Sequence, residues 1–227
     1  MTRIEAAADR TAPALRTLRT APLRRSFGDA WPGVVIGAVL LSVPWLVLEH
    51  SDARLARVEV SGFRFVNDLP DTLLPVLGAV MVLGTLGAWL VGVLVVAVVY
   101  RRAAPAVAVA VGCWTSYLAA QVVKGIVQRG RPVDLIAAFV SRAQADGYGF
   151  ASGHVAVVAG AAAALGPWLP KPWRAVTWTV VALVALARVY VGVHLPLDVI
   201  GGAGLGLLCG TLAALGVGTP DVQRSPT

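Results

Sequence analysis

The chain has 227 residues, of which 57% are hydrophobic and only 14% are charged, and its formal net charge at pH 7 is +7. Charged residues make up about 25% of a typical soluble domain, so the composition excludes an ordinary soluble protein and indicates a membrane protein. Both cysteines, Cys113 and Cys209, lie in apolar stretches. That placement favours buried thiols over a disulfide framework.

Six apolar runs are candidates for membrane-spanning helices, because a helix needs about 20 apolar residues to cross the hydrocarbon core. The fifth run is uncharged only over 175–187, but its apolar pattern continues to Val191 once Arg188 is accepted near the helix end. An arginine at that position can reach the interface or a polar pocket. In chain order, the candidates are 31–48, 72–100, 103–123, a segment within 147–170, 175–191 and a segment within 199–220.

These runs predict an all-α fold, a single bundle of six transmembrane helices over residues 31–217. Residues 1–30 form a basic N-terminal segment without a signal-peptide cleavage pattern. Two interpretations remain for residues 10–27: an interfacial segment on an anionic bilayer, or a disordered basic tail. Residues 218–227 form a C-terminal tail.

The distribution of charge predicts the orientation of the bundle. With the N-terminus in the cytoplasm, the inner segments hold eleven Lys and Arg against four acids, whereas the outer segments hold eight of each. The positive-inside rule therefore places both termini in the cytoplasm, and we expect the protein in the plasma membrane. The net charge is then a topology signal, and a nucleic-acid partner is not expected.

Three polar clusters end apolar runs, and this topology brings all three to the outer face at about the same depth. Ionisable groups at a membrane boundary indicate a functional site, and cations with histidines suit the handling of a phosphate. The clusters are Lys124 with Arg131 and Pro132; Ser152, Gly153 and His154; and Arg188 with His194 and Asp198.

Phosphate binding follows from the first two clusters and from Arg188. Lys124 supplies a point charge, and Arg131 and Arg188 can each clamp two oxygens with a planar fork. Ser152 and Gly153 begin a helix, where free N–H groups and the helix dipole favour an anion.

Two histidines can break the bond between phosphorus and the leaving oxygen. His194 and Asp198 are four residues apart, so the carboxylate can hold the imidazole while its other nitrogen attacks phosphorus. His154 can protonate the leaving oxygen and then activate water. We expect neither a metal nor another cofactor.

The motifs KGIVQRGRP (124–132), ASGH (151–154) and ARVYVGVHLPLD (187–198) resemble the three signatures of the type 2 phosphatidic acid phosphatase superfamily. The resemblance implies six helices and metal-independent dephosphorylation through a phosphohistidine. It makes His194 the nucleophile, Asp198 its partner and His154 the acid. Ala151 replaces a proline of the signature and Ala187 replaces a serine. The phosphate ligands that it implies are Lys124, Arg131, Ser152, Gly153 and Arg188.

The substrate stays open between a polyprenyl pyrophosphate and a phosphatidate-type lipid. A lipid phosphotransferase, a soluble-type vanadium haloperoxidase and a non-catalytic transporter or scaffold are the rival classes. The outer segment 55–74 could lie on the membrane near the site or serve as a connector. We interpret Arg129 and Arg142, which match no motif position, as loop charges.

Overall fold

The computed structural model describes residues 17–50 and 53–221, and 77% of these described residues are helical. The predicted all-α class is therefore confirmed, apart from one short β-ladder. The helices are α1 (Phe27–His50), α2 (Ala53–Asn67), α3 (Leu74–Val82), α4 (Leu86–Tyr100), α5 (Ala103–Val127), α6 (Pro132–Leu135), α7 (Gly153–Leu165), α8 (Lys171–Tyr190) and α9 (Pro196–Val217), with 3-10 turns at Asp71–Leu73 and Gly166–Trp168.

Helix α9 is the centre of the bundle and packs against α7, α1 and α5. Its glycines allow the neighbouring backbones to approach closely. A Cβ on Gly210 would meet the carbonyl oxygen of Gly160 and lie 2.8 Å from the Cβ of Ala163. On the facing side, a Cβ on Gly37 of α1 would lie 2.8 Å from the amide nitrogen of Leu208. Small residues at helix contacts are typical of membrane bundles, where close packing drives association.

The outward faces of the long helices are apolar, as expected for a membrane protein. Val39, Val43 and Leu46 of α1 and Leu94 and Val98 of α4 are all exposed. Four described helices are long and apolar enough to cross a membrane, and a fifth candidate arises if a pair bent by 71°, Arg57–Asn67 with Asp71–Val82, counts as one span. The predicted count of six is not confirmed, because two apolar helices are short.

The second predicted span, 72–100, is not one continuous helix. It divides into the 3-10 turn, α3 and α4, with a break at 83–85. Thr85 adopts an extended conformation, and its hydroxyl accepts a hydrogen bond from the N–H of Ala88 at 3.4 Å, so it caps α4. The break places Gly84 against His154, where a Cβ on Gly84 would lie 2.8 Å from the Cβ of that histidine.

Most of segment 55–74 folds as helix α2, which packs against the bundle. Phe63 is fully buried and meets Phe139 edge-on, with ring centroids 5.7 Å apart. Asn67 is also fully buried, and its amide donates to the carbonyls of Val140 at 2.8 Å and Tyr190 at 2.9 Å. The segment is thus a structural element rather than a simple connector.

The first and last segments of the described chain meet each other. Strands β1 (Leu23–Arg24) and β2 (Thr219–Pro220) pair antiparallel. Arg102 donates to the carbonyl of Ala21 at 2.6 Å and lies over the ring of Trp168 at 5.3 Å. Residues 17–26 are therefore packed on the protein; the rest of the basic segment, 1–16, and the tail beyond residue 221 lie outside the described residues.

Candidate active site

The three polar clusters meet at one end of the bundle, as the sequence predicts. Lys124 lies in the last turn of α5, Arg188 in the last turn of α8, His154 in the first turn of α7 and Asp198 in the first turn of α9. A cavity of about 460 Å³ opens between them. Its lining includes six of the eight predicted site residues: Lys124, Arg131, Gly153, His154, Arg188 and His194.

His194 and Asp198 face each other inside the protein, with 1% and 0% of their side chains exposed. Proline at the start of α9 and the i, i+4 spacing bring the two together. Nδ1 of His194 lies 3.5 Å from Oδ2 of Asp198, which is an ion-pair distance longer than a hydrogen bond. That oxygen accepts instead from the N–H of Leu195 at 2.9 Å.

The surroundings of His194 favour its neutral form. Burial lowers the pKa of His194 to about 4, with smaller contributions from the positive charges of Arg188 and Arg131, while Asp198 opposes the shift. The imidazole is therefore unprotonated at neutral pH and has a lone pair available for attack.

Arg131 is buried, and its guanidinium is largely committed to the protein. It donates to the carbonyls of Gly147 at 2.7 Å, Val193 at 2.8 Å and Asp146 at 2.9 Å. A guanidinium has five N–H donors, so two of them remain for a ligand in the cavity that Arg131 lines. The prediction of a simple bidentate clamp is incomplete, because Arg131 also holds the loop next to His194.

Arg188 and Lys124 are different, because neither side chain donates a hydrogen bond to another residue in the part of the chain that the structure describes. Arg188 is 7% exposed, and its Nε is buried without a partner. A buried, unpartnered guanidinium is costly unless a ligand satisfies it. These two side chains are the cations best placed to bind an anion.

Ser152 and Gly153 form the predicted helix start, but one detail was wrong. The N–H of Ser152 is not free, because it donates to the carbonyl of Asp198 at 2.9 Å. The free donors are those of the first turn of α7, beginning at Gly153, since Ala156 makes the first bond of that helix to Ser152. The hydroxyl of Ser152 is buried and has no hydrogen-bond partner among the described residues.

Sequence reasoning missed several polar residues that line the cavity. Tyr117 and Gln121 precede Lys124 on α5 at spacings of four and three, so the three form one polar stripe on an apolar helix. That periodicity was a usable signal. Thr85 from the helix break and Gln144 from the loop complete the polar lining, and no sequence spacing connects either of them to the three clusters.

Arg129 and Arg142 do lie outside the helices, as loop charges would, but both side chains are largely buried. Arg129 donates to Asp198 at 2.6 Å and forms an ion pair with Glu59. Arg142 donates to the carbonyl of Asn67 at 2.7 Å and lies over the ring of Tyr190 at 4.2 Å. A long arginine side chain can extend from a loop into the interior of the protein, and sequence spacing alone does not predict where its guanidinium lies.

A larger cavity of about 570 Å³ lies at the other end of the bundle, between the N-terminal part of α1 and the C-terminal part of α9. Its lining contains Arg24, Asp29 and Arg174 but neither His154 nor His194. The size of a cavity therefore does not identify the candidate site. The histidines and cations that line the smaller cavity make it the candidate.

The sequence of residues 105–220, just over half of the chain, matches the model of the PAP2 superfamily. The chain belongs to this superfamily. The matched segment contains all three polar clusters, and the predicted family is confirmed.

Two solved structures share the fold. LpxE from Aquifex aeolicus is 22% identical, with a TM-score of 0.64 over 69% of this chain and 94% of that one. The first transmembrane PAP2-type phosphatidylglycerolphosphate phosphatase from Bacillus subtilis is 21% identical, with a TM-score of 0.67 over 80% of this chain and 93% of that one. No curated protein sequence gives a significant match. The helical fold is thus shared with both of these proteins.

Proposed function

We propose that this protein is a metal-independent integral-membrane lipid phosphatase that works through a phosphohistidine intermediate. The observation that carries the proposal is the cavity of about 460 Å³, which two histidines and three cations line without any carboxylate among its described lining residues. Such a cavity attracts a phosphate and offers it a nucleophile and an acid. Membership of the PAP2 superfamily supports the same reaction class.

The phosphate binds between Lys124, Arg188 and the N-terminus of α7. Arg188 donates its unpartnered Nε–H and the rest of its fork to two non-bridging oxygens, and Lys124 adds a mobile point charge. The N–H groups of Gly153 and His154 point along the helix axis at the anion. Arg131 contributes its two remaining donors. Charge on the equatorial oxygens in the transition state strengthens all these contacts.

His194 attacks phosphorus, and the ester or anhydride bond to the leaving oxygen breaks. The low pKa of His194 keeps the ring neutral before the attack. As the P–N bond forms, positive charge develops on the ring, and Asp198 stabilises it from the Nδ1 side. His154 gives its proton to the leaving oxygen, then takes one from water, which hydrolyses the phosphohistidine and frees His194.

The location in the membrane favours a lipid as the substrate. In this proposal α3 and α4 together make one broken span, which completes six spans with the site on the outer face and both termini in the cytoplasm. The break at 83–85 lies beside His154, and in this proposal a lipid phosphate enters the site from the bilayer at that break. Labelling of a cysteine placed at Lys171 tests the topology, since access from the outside would contradict it.

Three lipid classes fit this chemistry: a polyprenyl pyrophosphate, a phosphatidate, and a phosphatidylglycerolphosphate such as the name of the Bacillus subtilis neighbour indicates. A lipid phosphotransferase is the second candidate, because the same intermediate can pass its phosphoryl group to an acceptor other than water. Nothing in the cavity selects between water and an alcohol.

The test is an assay of purified protein against a panel of these lipids, with release of free phosphate as the readout. We expect release from at least one of them without an added acceptor, and none from His194→Ala. Phosphate release only in the presence of an acceptor lipid would favour the phosphotransferase. No turnover of any lipid phosphate, with the protein folded, would refute both.

A further inference from the structure

The carboxylate of Asp198 is held by a buried ion-pair network that extends to helix α2. Nη1 of Arg129 donates to Oδ1 of Asp198 at 2.6 Å, and Nη2 pairs with Glu59. The exposed fractions of these side chains are 0% for Asp198, 12% for Arg129 and 10% for Glu59. The two ion pairs are therefore shielded from water, where such contacts have their largest effect.

The network is anchored by the backbone on every side. Oε1 of Glu59 accepts from the N–H of Leu197 at 3.0 Å, one residue before Asp198. The carbonyl of Arg129 accepts from the N–H of Gly149 at 2.7 Å. A Cβ on Gly149 would lie 3.0 Å from Oδ2 of Asp198. Arg129 thus holds Oδ1 of Asp198 and the N–H of Leu195 holds Oδ2, so the carboxylate is fixed at both oxygens and Oδ2 stays directed at His194.

The charges of the network have a consequence for the nucleophile. Arg129 alone would neutralise Asp198 and remove the negative charge that a cationic ring needs. Glu59 occupies the other edge of the same guanidinium, so two carboxylates share one cation and the network carries a net negative charge. That charge lies on the Nδ1 side of His194, opposite the cations of the cavity.

We propose that Arg129 and Glu59 are positioning residues for the nucleophile: Arg129 fixes the orientation of Asp198, and Glu59 offsets the charge of Arg129 so that Asp198 can stabilise the phosphorylated ring of His194. This inference rests on the proposed function for its catalytic meaning. The effect of the network on the pKa of His194 does not depend on that function and can be measured without a substrate. Helix α2, which precedes all three signature motifs, thereby becomes part of the active site.

The experiment measures the titration of His194 by NMR in detergent, with labelled histidine. The described residues facing the ring stay the same in every variant: Asp198, Arg188, Arg131 and His154. Glu59→Gln removes a negative charge and should move the pKa of His194 below its value of about 4. Arg129→Gln removes a positive charge and should raise that pKa by about one unit or more.

Arg142→Gln is the matched control, because Arg142 is another buried arginine of the same loop that does not contact Asp198. All three variants should lower the melting temperature. Only the two network variants should move the titration of His194, and they should move it in opposite directions. A purely structural role would leave the pKa of His194 unchanged, or shift it the same way in all three, and would overturn the proposal.

Turnover provides the second readout. Glu59→Gln should lower kcat by roughly 10- to 100-fold, by analogy with the loss of a residue that orients a metal-bound histidine, with KM changed by less than about threefold because no ligand contact is lost. Unchanged kcat in Glu59→Gln, with an active wild type, would overturn the positioning role. If wild type hydrolyses no lipid phosphate, the proposed function fails, and the titration still decides whether the network controls His194.

Discussion

Replacing Arg131 or Arg188 by lysine tests whether the two arginines have different roles. Arg131 holds the structure of the site, whereas Arg188 is free to bind the ligand. Arg131 donates three hydrogen bonds to backbone carbonyls, and it is 5% exposed. A hydrogen bond from a charged donor contributes about 1.5–3 kcal/mol to stability. A lysine at this position reaches one of the three carbonyls well, so Arg131→Lys should destabilise the protein by about 3 kcal/mol or more.

That loss corresponds to a fall in melting temperature of about 6–12 °C for a chain of this size. Arg188→Lys loses no hydrogen bond within the described residues, so its melting temperature should stay within about 2 °C of wild type. Its kcat should nevertheless fall by roughly 10²–10³-fold, the effect of removing a donor that acts on the transition state.

Thermal unfolding in detergent and phosphate release from a lipid phosphate, measured on the same preparations, provide the comparison. Equal melting temperatures for Arg131→Lys and wild type would show that the three carbonyl contacts contribute little. A melting temperature of Arg188→Lys as low as that of Arg131→Lys would refute the assignment of Arg188 as a free ligand-binding cation.

Three further outcomes are expected. Activity should survive a chelator and be inhibited by vanadate, because the proposed nucleophile is His194; loss of activity in EDTA that only a divalent ion restores would exclude this mechanism. His154→Ala should lower turnover by roughly 10²–10⁴-fold and recover with a very good leaving group; without recovery, His154 is not the acid. Between pH 6.5 and about 4, His194 is protonated in the unfolded chain but not in the folded protein, so the melting temperature should fall as the pH decreases. His194→Gln should make this fall less steep. An unchanged slope would contradict the low pKa of His194.

The parts of the site that the sequence predicts are those encoded by short spacings. His194 and Asp198 are one helical turn apart, and the ends of α5, α7 and α8 are marked by Lys124, His154 and Arg188 where apolar runs stop. A bundle of antiparallel helices then brings those ends together. Composition alone indicates the membrane, because nothing else explains so few charges.

The remaining parts depend on contacts distant in sequence. Glu59 and Arg129 are 70 residues apart, and no spacing rule connects them. Glu59, Phe63 and Asn67 lie on one face of a helix at intervals of four, so the sequence indicates that α2 is amphipathic. It does not indicate that Glu59 contacts Arg129. The break at 83–85 has Gly84 and a capping Thr85 as its local signal, which a long apolar run conceals.

The phosphoenzyme itself tests the central claim most directly. Wild-type protein is mixed with a phosphate-labelled lipid substrate, quenched within one turnover, and its peptides are analysed by mass spectrometry under conditions that preserve phosphohistidine. The account predicts a phosphoryl group on His194, with none in His194→Ala and slower loss of the label in His154→Ala. Single-turnover hydrolysis by wild type that leaves no label on His194, or a label on another residue, would contradict it.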